Sequence, residues 1–206
     1  LVCLGGLAAS AGDLPPGVVN TQQASDVSLS PQESLARITV PDGFRVTLFA
    51  GEPDIRRPIA FDFDDRGRLW VVENYAHPDW KADNTSDRII ILEDSNHDGQ
   101  FDHRTVFWDK GRYLTGLAVG HGGVWIANTP ELSFLPDVNR DDVPDSEPVV
   151  MLDGFQNSSN NVVNNFHWGP DGWLYGAIGL SSKSLVGKPG TAEELRTSIT
   201  RGIWRF

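Results

Sequence analysis

The sequence predicts an all-β fold on three observations. Short apolar runs are separated throughout by Gly, Pro, Asp and Asn turns, the pattern of strands too short to stand alone. A strand of one plan, a tight Gly turn followed by an aliphatic and then an aromatic residue, returns three times: Gly67-Arg68-Leu69-Trp70, Gly122-Gly123-Val124-Trp125 and Asp171-Gly172-Trp173-Leu174-Tyr175. An acidic loop of the type Asp-x-Asn-x-Asp returns twice, at Asp94 and Asp137. The aromatic positions Trp70, Trp125 and Tyr175 lie 55 and 50 residues apart and the loops 43 apart. Repeats of about 40 to 50 residues in an all-β chain point to a β-propeller with four-stranded blades, of which 41–206 would supply about three to three and a half.

The elements follow in order. The opening Leu1 to Ala11, apolar and closed by Ala9-Ser10-Ala11, reads as the remnant of a signal peptide with its cleavage site, so export to the periplasm or cell envelope is expected. Starting without Met and stopping inside a strand-like run at Phe206, the chain reads as a section of a longer protein. Residues 12–40, rich in Pro, Ser, Gln and Asp, are expected as an extended leader. Strands are expected at 45–50, 58–63, 68–73, 88–92, 105–108, 116–119, 124–128, 133–135, 148–152, 163–168 and 173–178, with capping-box spacing at Thr191 to Glu194 the one helical signal. In the first repeated strand, Leu69 and Val71 fall on one side of the pleat and Trp70 and Val72 on the other. Both faces must therefore be covered, as stacked blades would cover them, and inter-blade packing is the expected role of Trp70, Trp125 and Tyr175.

Composition narrows the function. The formal net charge is −11 and no Lys or Arg cluster appears, so the electrostatic footprint of a nucleic-acid partner is missing. Cys3 is the single Cys, ahead of the expected cleavage site, which leaves the remainder without a disulfide, a thiolate metal site or a Cys-x-x-Cys-His haem site. No apolar run approaches the ~18 to 20 residues that span a bilayer. Neither a Gly-x-Ser-x-Gly elbow nor His-Glu-x-x-His nor a Walker loop is present, so standard hydrolase and nucleotide chemistry is not indicated.

Three constellations carry chemistry. Asp94, Asn96, Asp98, the Gln100 carbonyl and Asp102 supply oxygens at positions 1, 3, 5, 7 and 9 of a loop with Gly99 at position 6, the spacing of a calcium loop, although Thr105 stands where an EF-hand has Glu. Asp137, Asn139, Asp141, the Val143 carbonyl and Asp145 repeat the spacing with Asp142 in place of Gly. Calcium in either loop would be structural, neutralising carboxylates and locking an outer hairpin. The amide-rich run from Asn157 to His167 precedes an inner strand, and loops that enter inner strands line one end of a propeller channel. Asn161, Asn164, Asn165 and His167 there offer donors and acceptors to a polar substrate or cofactor; structural turn-making by the Asn residues is the equal alternative. Glu73 and Tyr75, at the end of the first repeated strand, are expected either at the channel or on the surface.

Together Pro41-Asp42-Gly43-Phe44, Gly51-Glu52-Pro53, Gly67 to Tyr75, Arg88 to Asp94, Thr105-Val106-Phe107, Gly122 to Trp125 and Trp168 to Gly176 resemble the N-terminal propeller of the membrane-bound dehydrogenase family of planctomycete and verrucomicrobial bacteria. The resemblance covers roughly 41–206. It implies a propeller similar to soluble pyrroloquinoline quinone glucose and sorbosone dehydrogenases, followed in full-length members by helical repeats and a c-type haem domain. The implied activity is oxidation of a sugar or alcohol: a base takes the hydroxyl proton, hydride passes to the quinone and electrons leave through haem to an electron-transfer partner. Quinone-dependent relatives look to carry a His as that base upstream of the Gly-Pro-Asp-Gly turn, where this chain has Asn161, whose amide cannot act as a base. His167 is nearby, and Arg201, in a segment that resembles another blade start, would meet an anionic cofactor or a surface carboxylate. A non-catalytic propeller that binds carbohydrate or a protein partner is the competing expectation.

Overall fold

The structure, a computed structural model, describes residues 28–77, 86–157, 162–180 and 182–206. The expected signal-peptide remnant, most of the leader and Asn161 lie outside them. The chain divides into two units, residues up to Val46 and Thr47–Phe206.

The described part of the first unit holds one short helix, α1 (Pro31–Ala36), where an extended leader is expected. A complete capping box starts it: the Ser30 hydroxyl accepts the Glu33 N–H at 3.2 Å, and the Glu33 carboxylate accepts the Ser30 N–H at 2.8 Å. Pro31 adds a fixed φ at the first helical position. Ser-x-x-Glu followed by no apolar stripe makes a helix that buries nothing, which is why periodicity does not reveal it.

The second unit is all-β, with helix limited to one short turn among the described residues. The first sheet takes β1 (Pro58–Phe63), β2 (Leu69–Glu73), β3 (Asp87–Glu93) and β4 (His103–Gly111) in chain order, every pair antiparallel. The second repeats that plan with β5 (Leu114–Val119), β6 (Gly123–Asn128), β7 (Glu131–Pro136) and β8 (Val149–Leu152). The third places β10 (Leu174–Ile178) between β9 (Val163–Trp168) and β13 (Gly202–Arg205), and β11 (Ser184–Val186) and β12 (Thr197–Ile199) pair separately between β10 and β13 in sequence. Residues 45–50 join no ladder, contrary to expectation. Phe49 and Ala50 instead pack over the outer face of the first sheet with Val71, Ile90 and Leu92. The capping-box expectation at Thr191 also fails: the turn there is a 3₁₀ helix, Glu193–Leu195, whose N-cap is Ala192, with no hydroxyl to offer.

Two cores hold the sheets together. Trp70, Val72, Ile89, Ile91 and Phe107 of the first sheet meet Leu117, Val124 and Ile126 of the second. Ala118, Ala127 and Trp125 on the opposite face of the second meet Phe166, Leu174 and Trp204 of the third. The repeated strand is thus covered on both faces in the first two sheets, whereas the third sheet packs one face against the second and leaves Trp173 and Ile203 exposed. Truncating one fully buried aliphatic such as Ile126 would cost about 2 to 5 kcal/mol. Trp70 packs edge-on against Phe107 of its own sheet inside the core shared with the second, and Trp125 meets Phe134 of its own sheet and Trp168 of the third, so both take the expected place between sheets. Tyr175 does not: it is half-buried outside that core, with its hydroxyl donated to Asp171 at 2.7 Å.

The leading strands of the three sheets, β1, β5 and β9, come side by side. The Val119 N–H donates to Asp62 at 2.9 Å, and the Thr115 hydroxyl donates to the Val163 carbonyl. Gly116 faces the β9 backbone closely: a Cβ there would stand 3.4 Å from the Asn165 nitrogen and 3.5 Å from the Asn164 Cα, filling the gap between the two strands.

Candidate functional site

The three leading strands share an irregularity that no sequence pattern announces. Each carries a β-bulge near its first residues: between Pro58 and Ala60 in β1, between Leu114 and Gly116 in β5, and opposite Tyr175 and Ala177 in β9. In β9 the extra residue puts Asn165 in the left-handed region, φ 61°. Val163 and Phe166, three apart, then reach the same core, while Asn165 and His167 stay exposed. Bulges re-aim side chains and concentrate beside functional sites. Here Ile59, Thr115 and Asn165 from the three bulges line one cleft of about 620 Å³.

That cleft runs along the unpaired edges of β1, β5 and β9. Its polar lining includes His77, Thr115, Asn164, Asn165 and His167, and its apolar lining includes Tyr113, Phe61 and Phe166. The Asn164 amide donates to the Val162 carbonyl at 2.9 Å, which leaves its oxygen as an acceptor. Of the residues expected from sequence, Asn164, Asn165 and His167 are therefore brought together, and Asn161 lies outside the described residues. His77, Thr115 and Tyr113 were not legible as site residues, because they sit on separate strands and loops with no shared motif.

The other expected cofactor residues lie elsewhere. Glu73 is fully buried at the end of β2, where its carboxylate accepts the Arg56 N–H at 2.8 Å and the Tyr75 hydroxyl at 3.1 Å and pairs with Arg104 at 3.3 Å. Burial, with the Glu73 charge beside it, pushes the Tyr75 hydroxyl up from its ordinary pKa, so Tyr75 is held as a donor. Arg201 is exposed just before β13 and does not line the cleft. Asp87, which sequence reasoning passed over, is a buried carboxylate that accepts N–H groups from Tyr75, Ala76 and Leu114 at 2.7 to 2.9 Å. Burial pushes its pKa up against the pull of those three donors. Its role is to fasten the loop after β2 and the start of β5 to the start of β3, directly beside the cleft.

The two acidic loops occupy equivalent places, each joining the third and fourth strands of its sheet. In the first, Asp94 accepts the N–H of Asp98 and of Gly99, Asn96 accepts Asp98 and Asp98 accepts Gln100. In the second, Asp137 and Asn139 both accept Asp141, and Asp141 accepts Val143. The side-chain oxygens at positions 1, 3 and 5 thus turn into each loop, an oxygen-only set of the kind calcium takes. Asp102 and Asp145 instead accept the N–H of Ser95 and Val138. Among the described residues, no three His, Cys, Asp or Glu side chains gather closely enough to hold a metal ion.

Stacked antiparallel sheets with a bulge-lined cleft along their leading edges define an all-β domain with a candidate small-molecule site. The chain belongs to the family described as Domain of unknown function (DUF7133), whose profile matches residues 30–206. No curated protein matches the chain.

Proposed function

We propose that residues 47–206 are a section of a β-propeller that binds a hydroxyl-rich small molecule, a sugar or an alcohol, in the cleft along its inner strands. The observation that carries this reading is that the bulge residues of all three leading strands, Ile59, Thr115 and Asn165, meet in the lining of one cleft, whereas the bulges of the outer strands β4 and β8 do not meet there. Amides, imidazoles and a hydroxyl interleaved with aromatic rings suit a ligand with polar edges and apolar faces. Supporting the propeller are the repeated strand order of the first two sheets, the two inter-sheet cores and the side-by-side leading strands. Titration of the protein with a panel of monosaccharides and short alcohols, followed by nuclear magnetic resonance of the Asn and His side chains, is the test. Shifts confined to Asn164, Asn165, His167 and His77, and lost in Asn165→Ala, are expected; shifts spread over the surface would sink the reading.

A second reading, oxidation of that ligand by a quinoprotein-like dehydrogenase, is favoured by two imidazoles in the cleft, of which His167 is the described candidate for a base. The quinone itself is a poor match to this cleft. Its three carboxylates call for cationic partners, and no Arg or Lys lines the cleft among the described residues. Reconstitution with pyrroloquinoline quinone and calcium, read by dye reduction, separates the readings: turnover abolished by His167→Ala supports oxidation, and ligand binding without turnover leaves a binding module. Calcium in the acidic loops and export to the cell envelope belong to both readings.

A further inference from the structure

We propose that the flank of the first sheet carries a binding pocket for a small oxyanion, the carboxylate or phosphate group of a soluble ligand, formed by Arg56, Arg88 and Arg104 around Tyr75. These side chains, with Pro53 and Asp54, line a depression of about 370 Å³ that is separate from the inner cleft.

Unspent guanidinium donors mark this pocket. Arg88 stands opposite Glu73 in the β2–β3 ladder, and its guanidinium carbon lies 5.4 Å from the centre of the Tyr75 ring. Its Nε is buried and has no hydrogen-bond partner. No acceptor meets the rest of that guanidinium among the described residues, although an Arg side chain carries five N–H donors. A buried donor on a charged group is costly to leave unpaired. Arg104 uses two donors, one to the Asp54 carbonyl at 3.0 Å and one to Glu73 at 3.3 Å. Arg56 spends its backbone N–H on Glu73 and makes one long side-chain bond, 3.4 Å, to the Pro53 carbonyl.

The local charge has the matching sign. Three guanidiniums face one buried carboxylate, Glu73, and one exposed Asp54, so the pocket is net positive on a chain whose formal charge is −11. Glu73 accepts from the Arg56 N–H, the Tyr75 hydroxyl and Arg104, and makes no bond to Arg88. Planar guanidiniums pair two-pronged with carboxylate and phosphate oxygens, which identifies the ligand chemistry. This inference is independent of the sugar or alcohol reading, because the two sites share no lining residue.

Calorimetric titration of the full chain with inorganic phosphate, sulfate and acetate, at ionic strength held constant with chloride, tests it. Saturable binding of at least one of the three is expected: phosphate and sulfate with acetate inert would mark a phosphoryl-type ligand, and acetate alone a carboxylate. Arg88→Gln should weaken that binding at least tenfold, whereas Arg201→Gln, remote from the pocket, should leave it unchanged. Arg88→Gln removes the stacking on Tyr75 together with the unpaired buried donor, two opposed effects, so its Tm in anion-free buffer should stay close to wild type while the rise that the anion gives the wild type is lost. Absence of saturable binding for all three anions, or undiminished binding by Arg88→Gln, overturns the proposal.

Discussion

The acidic loops 94–102 and 137–145 follow one backbone path and differ in what grips them from outside. Position 4 is left-handed in both, at His97 (φ 60°) and Arg140 (φ 60°), and so is position 6, at Gly99 (φ 90°) and Asp142 (φ 67°). Both close with the N–H of position 9 donated to the carbonyl just before the loop, Asp102 to Glu93 at 2.9 Å and Asp145 to Pro136 at 2.8 Å. Beyond that the second loop is clamped. Arg68 donates to both carboxylate oxygens of Asp142 at 2.6 and 2.8 Å and to Asp64 at 2.8 Å, and Arg140 pairs with Asp65. The first loop is held instead by the segment ahead of β1: Thr47 lies near its position 6, and the Phe101 N–H donates to the Phe49 carbonyl at 3.2 Å. The comparison teaches that inward-turned Asp and Asn side chains dictate the loop's path, while position 6 decides whether the loop is fastened to the neighbouring sheet. Asp142 accepts a conformation that favours Gly and in return offers Arg68 a carboxylate.

Removing the clamp should have the largest effect. Arg68→Ala leaves the buried Asp64 and the half-covered Asp142 without their cation, and a loss of about 3 kcal/mol is expected in urea denaturation; an unchanged midpoint would show the clamp to be idle. Calcium tests what the loops share. If the first loop binds it, a concentration ten times Kd stabilises the protein by about 1.4 kcal/mol, visible as a rise in Tm that Asp94→Ala removes. The clamped loop, with Arg140 inside it, should bind more weakly. Exchange at position 6 comes next. Gly99→Asp places a side chain at φ 90° with no guanidinium to meet it and should cost about 1 kcal/mol.

The smallest effect is in pH dependence, where the loops should move in opposite directions. The Ser95 hydroxyl and N–H hold the Asp102 carboxyl below the usual range, so its contribution is present above the unfolded pKa and is lost as pH falls. Burial pushes the Asp137 carboxyl up against the pull of loop N–H groups, so its contribution is present below the unfolded pKa and is lost as pH rises through the folded value. Carbon-13 titration of the two carboxyls should place Asp102 low and Asp137 high; a common midpoint would mean that burial does not separate them.

Much of the fold was legible because the repeat writes the same physical demand several times. Leu69-Trp70-Val71-Val72 has to be covered on both faces, and the structure covers both. β11 and β12 were missed, since Ser184 to Val186 and Thr197 to Ile199 are too short for alternation to register; β13 was legible only as the strand-like run at Phe206, because Gly202 opens it with a residue that weakens strand propensity. The site was legible only where its residues are neighbours in sequence, at Asn164, Asn165 and His167. Glu73 reads as a channel residue from its position at a strand end, yet it is drawn under Arg56 and Arg104 by contacts that come from 17 and 31 residues away. Long-range pairing of that kind leaves no local pattern to read.

The bulge in β9 has one consequence that reaches beyond geometry. Val163 packs in the core, Phe166 serves both the core and the cleft wall, and Asn165 and His167 line the cleft while exposed to solvent. Asn165 and His167 can therefore change without loosening the sheets, whereas Thr115, buried and bonded to the Val163 carbonyl, cannot, so that variation in the cleft should fall on the exposed residues first.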